Sequence, residues 1–207
     1  MFACFCFVCC FSTINISFAL AECFVRGLDQ FPTIISNGQF DRILVRPRGE
    51  LFQVITTKFE FTRIGRLAQA AIVFAWAMPR CGISFTIDKI FCLILMVLCG
   101  ALVFSGIFTL YAVICFFTTE GLEFMNILTD GVKEYGKYPF GIYGKKILCI
   151  LTYVFPFALI QYYPFLYLTD RSENKLLMII PLASLIFLIP CGILWKIGVR
   201  HYRSTGS

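Results

Sequence analysis

Apolar positions run along this chain in long unbroken blocks, with the charged residues gathered between them. Three blocks carry no charge over the ~20 residues that a helix needs to cross a bilayer: Ile90 to Thr119, Ile147 to Thr169 and Leu176 to Trp195. A fourth, Met1 to Ala21, is uncharged up to Glu22 and carries Phe and Cys where a solvated terminus would carry polar groups. The fifth, Leu67 to Pro79, lies between Arg66 and Arg80 and covers 13 residues. At about 20 Å of helix it needs those arginines to snorkel. The pattern predicts an all-α polytopic membrane protein with about five transmembrane helices, at about 1–21, 65–80, 90–118, 147–168 and 176–195, in one domain over 1–207.

The connection over 24–64 is far too long for a turn and alternates apolar with charged residues. Phe52, Ile55, Phe59 and Thr62 recur at helical spacing, with Gln53, Lys58, Glu60 and Arg63 off that stripe. This predicts an amphipathic helix lying at a surface. Pro47 and Gly49 separate it from an earlier helical piece around Ile34 to Leu44. Prolines at 156, 164, 181 and 190 fall inside the last two spans, where they kink helices and free carbonyls.

Composition agrees with a lipid environment: 59% of the 207 residues are hydrophobic and 14% are charged, against roughly a quarter charged in soluble domains. The net charge of +6 does not point to nucleic acid, because the basic residues are scattered along the connections. They report sidedness instead. If Leu67 to Pro79 spans, alternate connections hold fourteen basic residues against four; if it does not, the split is eleven against seven. Five spans with a cytoplasmic C-terminus give the cleaner asymmetry. That count puts the N-terminus outside, as if one preceding span were absent. Most of the eleven cysteines lie in or beside apolar runs and act as small apolar residues. The first twenty residues lack a basic leader and a cleavage site, so they read as a retained span.

Candidate chemistry is sparse. Gly131 to Tyr138 has the glycine and lysine spacing of a phosphate loop, but Tyr138 stands where a hydroxyl must hold Mg²⁺ and Pro139 follows at once. Cys6 and Cys9 form a CxxC in an apolar stretch with no basic group to activate them. The Asn15-Ile-Ser17 sequon lies within a span. His201 is the sole histidine, which excludes multi-histidine metal sites and intramembrane Ser/His/Asp arrangements. Gln161, flanked by Tyr162 and Tyr163 and by Pro156 and Pro164, either lines a pathway or bonds across helices. Ala71 with Ala75, and Ala101 with Ser105, are small pairs suited to helix contacts. No residue set suits ATP hydrolysis, a metal or a cofactor, so the chain reads as no enzyme.

Three segments, Gly38-Gln-Phe-Asp41-Arg-Ile-Leu44-Val-Arg46-Pro47, Tyr138-Pro139 through Tyr143, and Phe155-Pro156 through Tyr163-Pro164, occur in a telling order. Together with the ending Trp195-Lys-Ile-Gly-Val-Arg200-His-Tyr202-Arg-Ser204-Thr-Gly206 they resemble the permease subunits of bacterial type-2 ABC exporters, from about Cys23 onward. The resemblance implies six spans with both termini cytoplasmic, so this chain looks one span short at its front. It implies an inner-membrane permease working with a separate ABC ATPase subunit and a second permease copy or paralogue, surrounded by membrane lipid and without nucleic acid or cofactor. It also places 24–64 where the ATPase docks, with Gly38, Asp41, Leu44, Arg46 and Pro47 in its signature as coupling residues rather than catalytic ones. Other readings are an interfacial anchor for 24–64 and a truncated or non-transport polytopic protein serving as an assembly partner. An intramembrane enzyme is disfavoured by the charge-free spans.

Overall fold

The computed structural model describes residues 2–59, 61–81, 86–118, 144–172 and 174–203. Every regular element among them is helical. Helix α1 (Phe2–Val25) leads through a tight 3-10 turn (Arg26–Gln30) into three short helices, α2 (Phe31–Ser36), α3 (Gln39–Leu44) and α4 (Glu50–Ile55). Helix α5 (Ile64–Ala77) closes in a further 3-10 turn, Met78–Cys81, and α6 (Ile87–Cys115) is the longest element. Then come α7 (Gly144–Tyr153), a widened π-turn (Ala158–Tyr162), α8 (Tyr163–Leu168), α9 (Leu176–Ile179), a 3-10 stretch (Ile180–Phe187) and α10 (Leu188–His201).

Among the described residues, three helical stretches are long and apolar enough to cross a membrane: Val8–Ser36, Ile87–Cys115 and Leu176–His201. The spans expected at 65–80 and 147–168 fall on interrupted helix. Helix α5 with its closing turn covers Ile64 to Cys81, about 30 Å at helical and 3-10 rises. The 147–168 stretch is broken after Tyr153. Pro156 has no N–H to continue a helix, and Pro164 withholds its hydrogen bond from the turn before it, so that turn widens and Tyr163 N–H reaches back to the Ala158 carbonyl.

Contacts fix the direction of each pass. Phe5 packs on Trp76 at 5.6 Å and Glu22 meets Arg66 at 2.7 Å, so α1 and α5 are antiparallel. Phe18 lies 5.1 Å from Phe104 and Cys9 packs near Leu93, so α6 runs with α1. Phe104 packs on Phe157 with tilted rings while Met96 packs on Leu168, which turns the α7–α8 pass back. Trp195 against Phe116 and Met178 beside Met96 and Cys92 align the last pass with α6. The bundle therefore runs up and down in sequence order. One end carries the 26–63 connection and the end of α10, and the other carries the Lys89–Asp170 ion pair at 2.8 Å.

The small-residue pairs divide. Ala101 is buried, but Ala71 and Ala75 face outward, and Ala70 and Ala77 make the inward contacts of α5. Cys9 is buried in the bundle, and Asn15 is buried with its amide on the Phe11 carbonyl of the same helix. Gly131 to Tyr138 and the Tyr138 to Tyr143 motif lie outside the described residues.

The surface helix expected from the Phe52, Ile55, Phe59 and Thr62 stripe is present in shorter form as α4, which ends at Ile55. Phe52 and Phe59 are exposed while Gln53 and Val54 are buried. The cause is Gly27, where a Cβ would press on the backbone carbonyls of Val54 and Ile55, 2.6 Å from the latter oxygen. Only glycine lets α4 approach the first turn so closely. Gly27→Ala should push α4 off this seat and cost about 1–3 kcal/mol. Gly49→Ala, with nothing within 4 Å of its Cβ, should change the detergent melting midpoint little.

Candidate functional site

The connection end is assembled by two side-chain systems, one ionic and one aromatic. Glu22, near the end of α1, is 2% exposed. Its carboxylate accepts from Arg26 one turn later and from Arg66 Nη1 at 2.7 Å, with Arg63 Nε at 4.0 Å. Arg26 also pairs with Asp29 at 3.0 Å. Leaving one carboxylate unneutralised beside lipid would cost several kcal/mol. Three guanidinium groups meet that cost, and in doing so they tie the end of α1 to the start of α5.

The aromatic system binds α2 and α3 to the ends of α6 and α10. Phe31 and Phe40 are fully buried. Phe31 lies 4.9 Å from Phe116 and 5.2 Å from Trp195, and Phe40 lies 5.5 Å from Phe116 and 4.9 Å from Tyr202. Most of these rings meet edge to face, the arrangement favoured by their quadrupoles and worth about 0.5–1.5 kcal/mol per pair beyond area burial. Residues from four separate segments thus form one knot.

The residues singled out in the connection divide by role. Gly38 adopts φ 64° between α2 and α3, a left-handed conformation that a β-carbon disfavours. Its N–H bonds the Ile35 carbonyl and closes α2. Asp41, on α3, lies close to the Tyr202 hydroxyl; burial first, and then that carboxylate, push the Tyr202 phenol upward. Leu44 is exposed at the end of α3, and Arg46 and Pro47 project from the loop that follows. That loop is held from beneath by Gln53, whose Nε2 donates to the carbonyls of Arg48 at 2.8 Å and Ile43 at 3.2 Å. Arg46, Pro47, Arg48, Phe52, Gln53 and Thr56 line an open depression of about 440 Å³.

Pro156, Gln161 and Pro164 sit apart from this end, in the broken pass. Gln161 is buried and its Nε2 donates to the Cys10 carbonyl at 2.8 Å and to Thr13 Oγ1 at 2.9 Å on α1. Pro156 lies before the π-turn and Pro164 at the start of α8.

Pattern reading placed Glu22 only as the end of an apolar run and Gln53 on the polar side of a stripe. The available signal for Glu22 was Arg26 four residues on, an i,i+4 pair. Nothing local to Gln53 announces its inward turn.

A family model described as ABC-2 family transporter protein matches residues 3–206. No curated protein and no solved structure matches the chain.

Glu22→Gln should lower stability by about 2–3 kcal/mol, less than for a fully buried pair because its arginines are partly exposed. A double cycle with Arg66→Gln, read by thermal melts in nanodiscs, should return most of that as coupling. Tyr202 generates a pH dependence. Its folded-state pKa is raised, so the stability it contributes is whole below the ordinary phenol pKa of about 10 and is lost as pH climbs above that value. Melts of Tyr202→Phe should fall less steeply than wild type in that alkaline range.

Proposed function

The chain belongs to the ABC-2 transporter family, and on that footing we propose that it is the membrane-spanning permease subunit of an ATP-driven exporter whose ATPase is a separate chain. Membership makes it a membrane component of an ABC transporter. The separate ATPase, the outward direction, pairing with a second permease copy or paralogue, and a bacterial inner-membrane setting with five passes and a cytoplasmic C-terminus are our reading.

One observation carries it. The connection joins four passes at one end: Glu22 ties α1 to α5, and the Phe31, Phe40, Phe116, Trp195 and Tyr202 knot ties α2 and α3 to α6 and α10. A push on the exposed Arg46–Pro47 loop would therefore pass into the bundle instead of dissipating in a slack loop. Packed, bistable elements transmit small displacements in this way. The same end gathers most of the basic residues, which supports a cytoplasmic placement. Gly38, Asp41, Leu44, Arg46 and Pro47 then serve as the coupling region, while Pro156, Gln161 and Pro164 shape a kinked pass braced on α1.

The test is co-purification of the tagged chain with an ATPase from its own cells. Replacing Arg46 and Pro47 together by alanine should cut recovery of the ATPase about tenfold or more, with the melting midpoint unchanged because both side chains are exposed. Unchanged recovery would reject the coupling assignment.

A further inference from the structure

At the far rim of the bundle, two paired charges stand at the helix ends that disfavour them. Asp170 follows the end of α8 with φ 55°, in the left-handed position after a helix that glycine usually fills. Both hydrogen bonds of that motif are present, from Asp170 N–H to the Tyr167 carbonyl at 3.2 Å and from Arg171 N–H to the Leu166 carbonyl at 3.0 Å. An aspartate there carries a β-carbon in a conformation that disfavours it and a negative charge beside the negative end of a helix. Lys89 mirrors it as an ammonium in the first turn of α6, where its neighbour Asp88 is the charge that the helix favours. Neither placement follows from its own helix. The pair that the two residues make at 2.8 Å accounts for both.

The pair is also lopsided in depth, with the Lys89 side chain 7% exposed and that of Asp170 67% exposed. Burying the ammonium costs hydration, and a carboxylate that water and salt reach offsets only part of that cost. Closed and open states of such a contact are therefore closely balanced. Inward of it lies Cys92, three residues along α6 from Lys89 and so on the same face. Cys92 is fully buried with Met96 and with Leu168, which stands two residues before Asp170. We propose that Lys89–Asp170 is a releasable clasp that closes the far mouth of the seam between α6 and α8, and that its opening brings water to Cys92. The inference rests on the permease reading for its use, as a gate worked by the ATPase, and on this geometry alone for the clasp itself.

The full-length chain in nanodiscs, alone and with the ATPase subunit that co-purifies with it, would be treated with a charged maleimide that reaches thiols only through water. Mass spectrometry of the peptide carrying Cys92 gives its rate of alkylation, and Cys99, two turns deeper and also buried, serves as the control. Asp170→Asn tolerates the left-handed backbone and removes the charge, and should speed alkylation of Cys92 about fivefold with Cys99 unchanged. Lys89→Glu with Asp170→Lys puts each charge at the helix end that favours it, and should return the rate to the wild-type value or below. A non-hydrolysable ATP analogue bound to the ATPase should speed alkylation of wild-type Cys92 and leave the charge-swapped pair slow. If Asp170→Asn leaves Cys92 unchanged, or speeds Cys99 equally, the clasp proposal is wrong although the permease reading stands. If the analogue has no effect on wild type with the ATPase bound, the pair is a static brace and its release as a gate is overturned. If no ATPase co-purifies, it is the permease reading that fails, and the Asp170→Asn comparison on the chain alone still decides the clasp.

Discussion

A single carboxylate sets the terms for the connection end. Glu22 closes an otherwise uncharged helix and is almost fully buried, so its charge must be matched or the helix cannot stop there. The match comes from Arg26 in the turn that follows and from Arg63 and Arg66 some forty residues later. Meeting it forces α5 to begin beside the end of α1 and to run back along it. The intervening residues are then confined to a closed loop whose two ends coincide. Without that closure the three short helices α2, α3 and α4 would be a tether; with it they become a cap.

The cap is rigid because its contacts are of different kinds at different depths. The aromatic knot supplies edge-to-face contacts among rings from α2, α3, the end of α6 and α10. Below it, Gly27 lets the α4 backbone settle directly on the first turn, and Gln53 reaches across to two carbonyls of the loop before α4. Rings resist sliding, and backbone contact with directed hydrogen bonds resists tilting. Arg42, Arg46, Arg48, Phe52, Phe59 and Phe61 stay exposed on this cap among neutral polar and small residues.

Much of the helical architecture was visible in the sequence, because lipid imposes a crude rule: uncharged runs of sufficient length become helices. The long runs at Ile87–Cys115 and Leu176–His201 obey it. The connection was legible as structured, and Gly38 marks the break between its two short helices, but its facing was not. The apolar stripe through Phe52 suggested one buried face, yet the tight seat at Gly27 turned Val54 and Gln53 inward and left Phe52 outside. Periodicity reports which side chains prefer burial; backbone proximity between distant segments decided which were buried. The knot was illegible for the same reason, since Phe31, Phe116 and Trp195 meet only after the chain has crossed the bundle. Gln161 was recognisable as an exceptional amide, and its partners on α1 came only with the packing.

The two ends of the bundle are fastened unequally. At the connection end a buried carboxylate is held by several cations. At the other end the Lys89–Asp170 pair joins α6 to the turn after α8, and the Asp170 side chain is 67% exposed in a left-handed backbone conformation. Water and salt weaken the second clasp through the exposed Asp170, and reach the first only through its partly exposed arginines. The cap would then act as a fulcrum and the far rim as the free arm, with strain entering the bundle released first at the Lys89–Asp170 pair. Helices splayed from such a fulcrum part like the fingers of a fan, widest at the rim away from the cap.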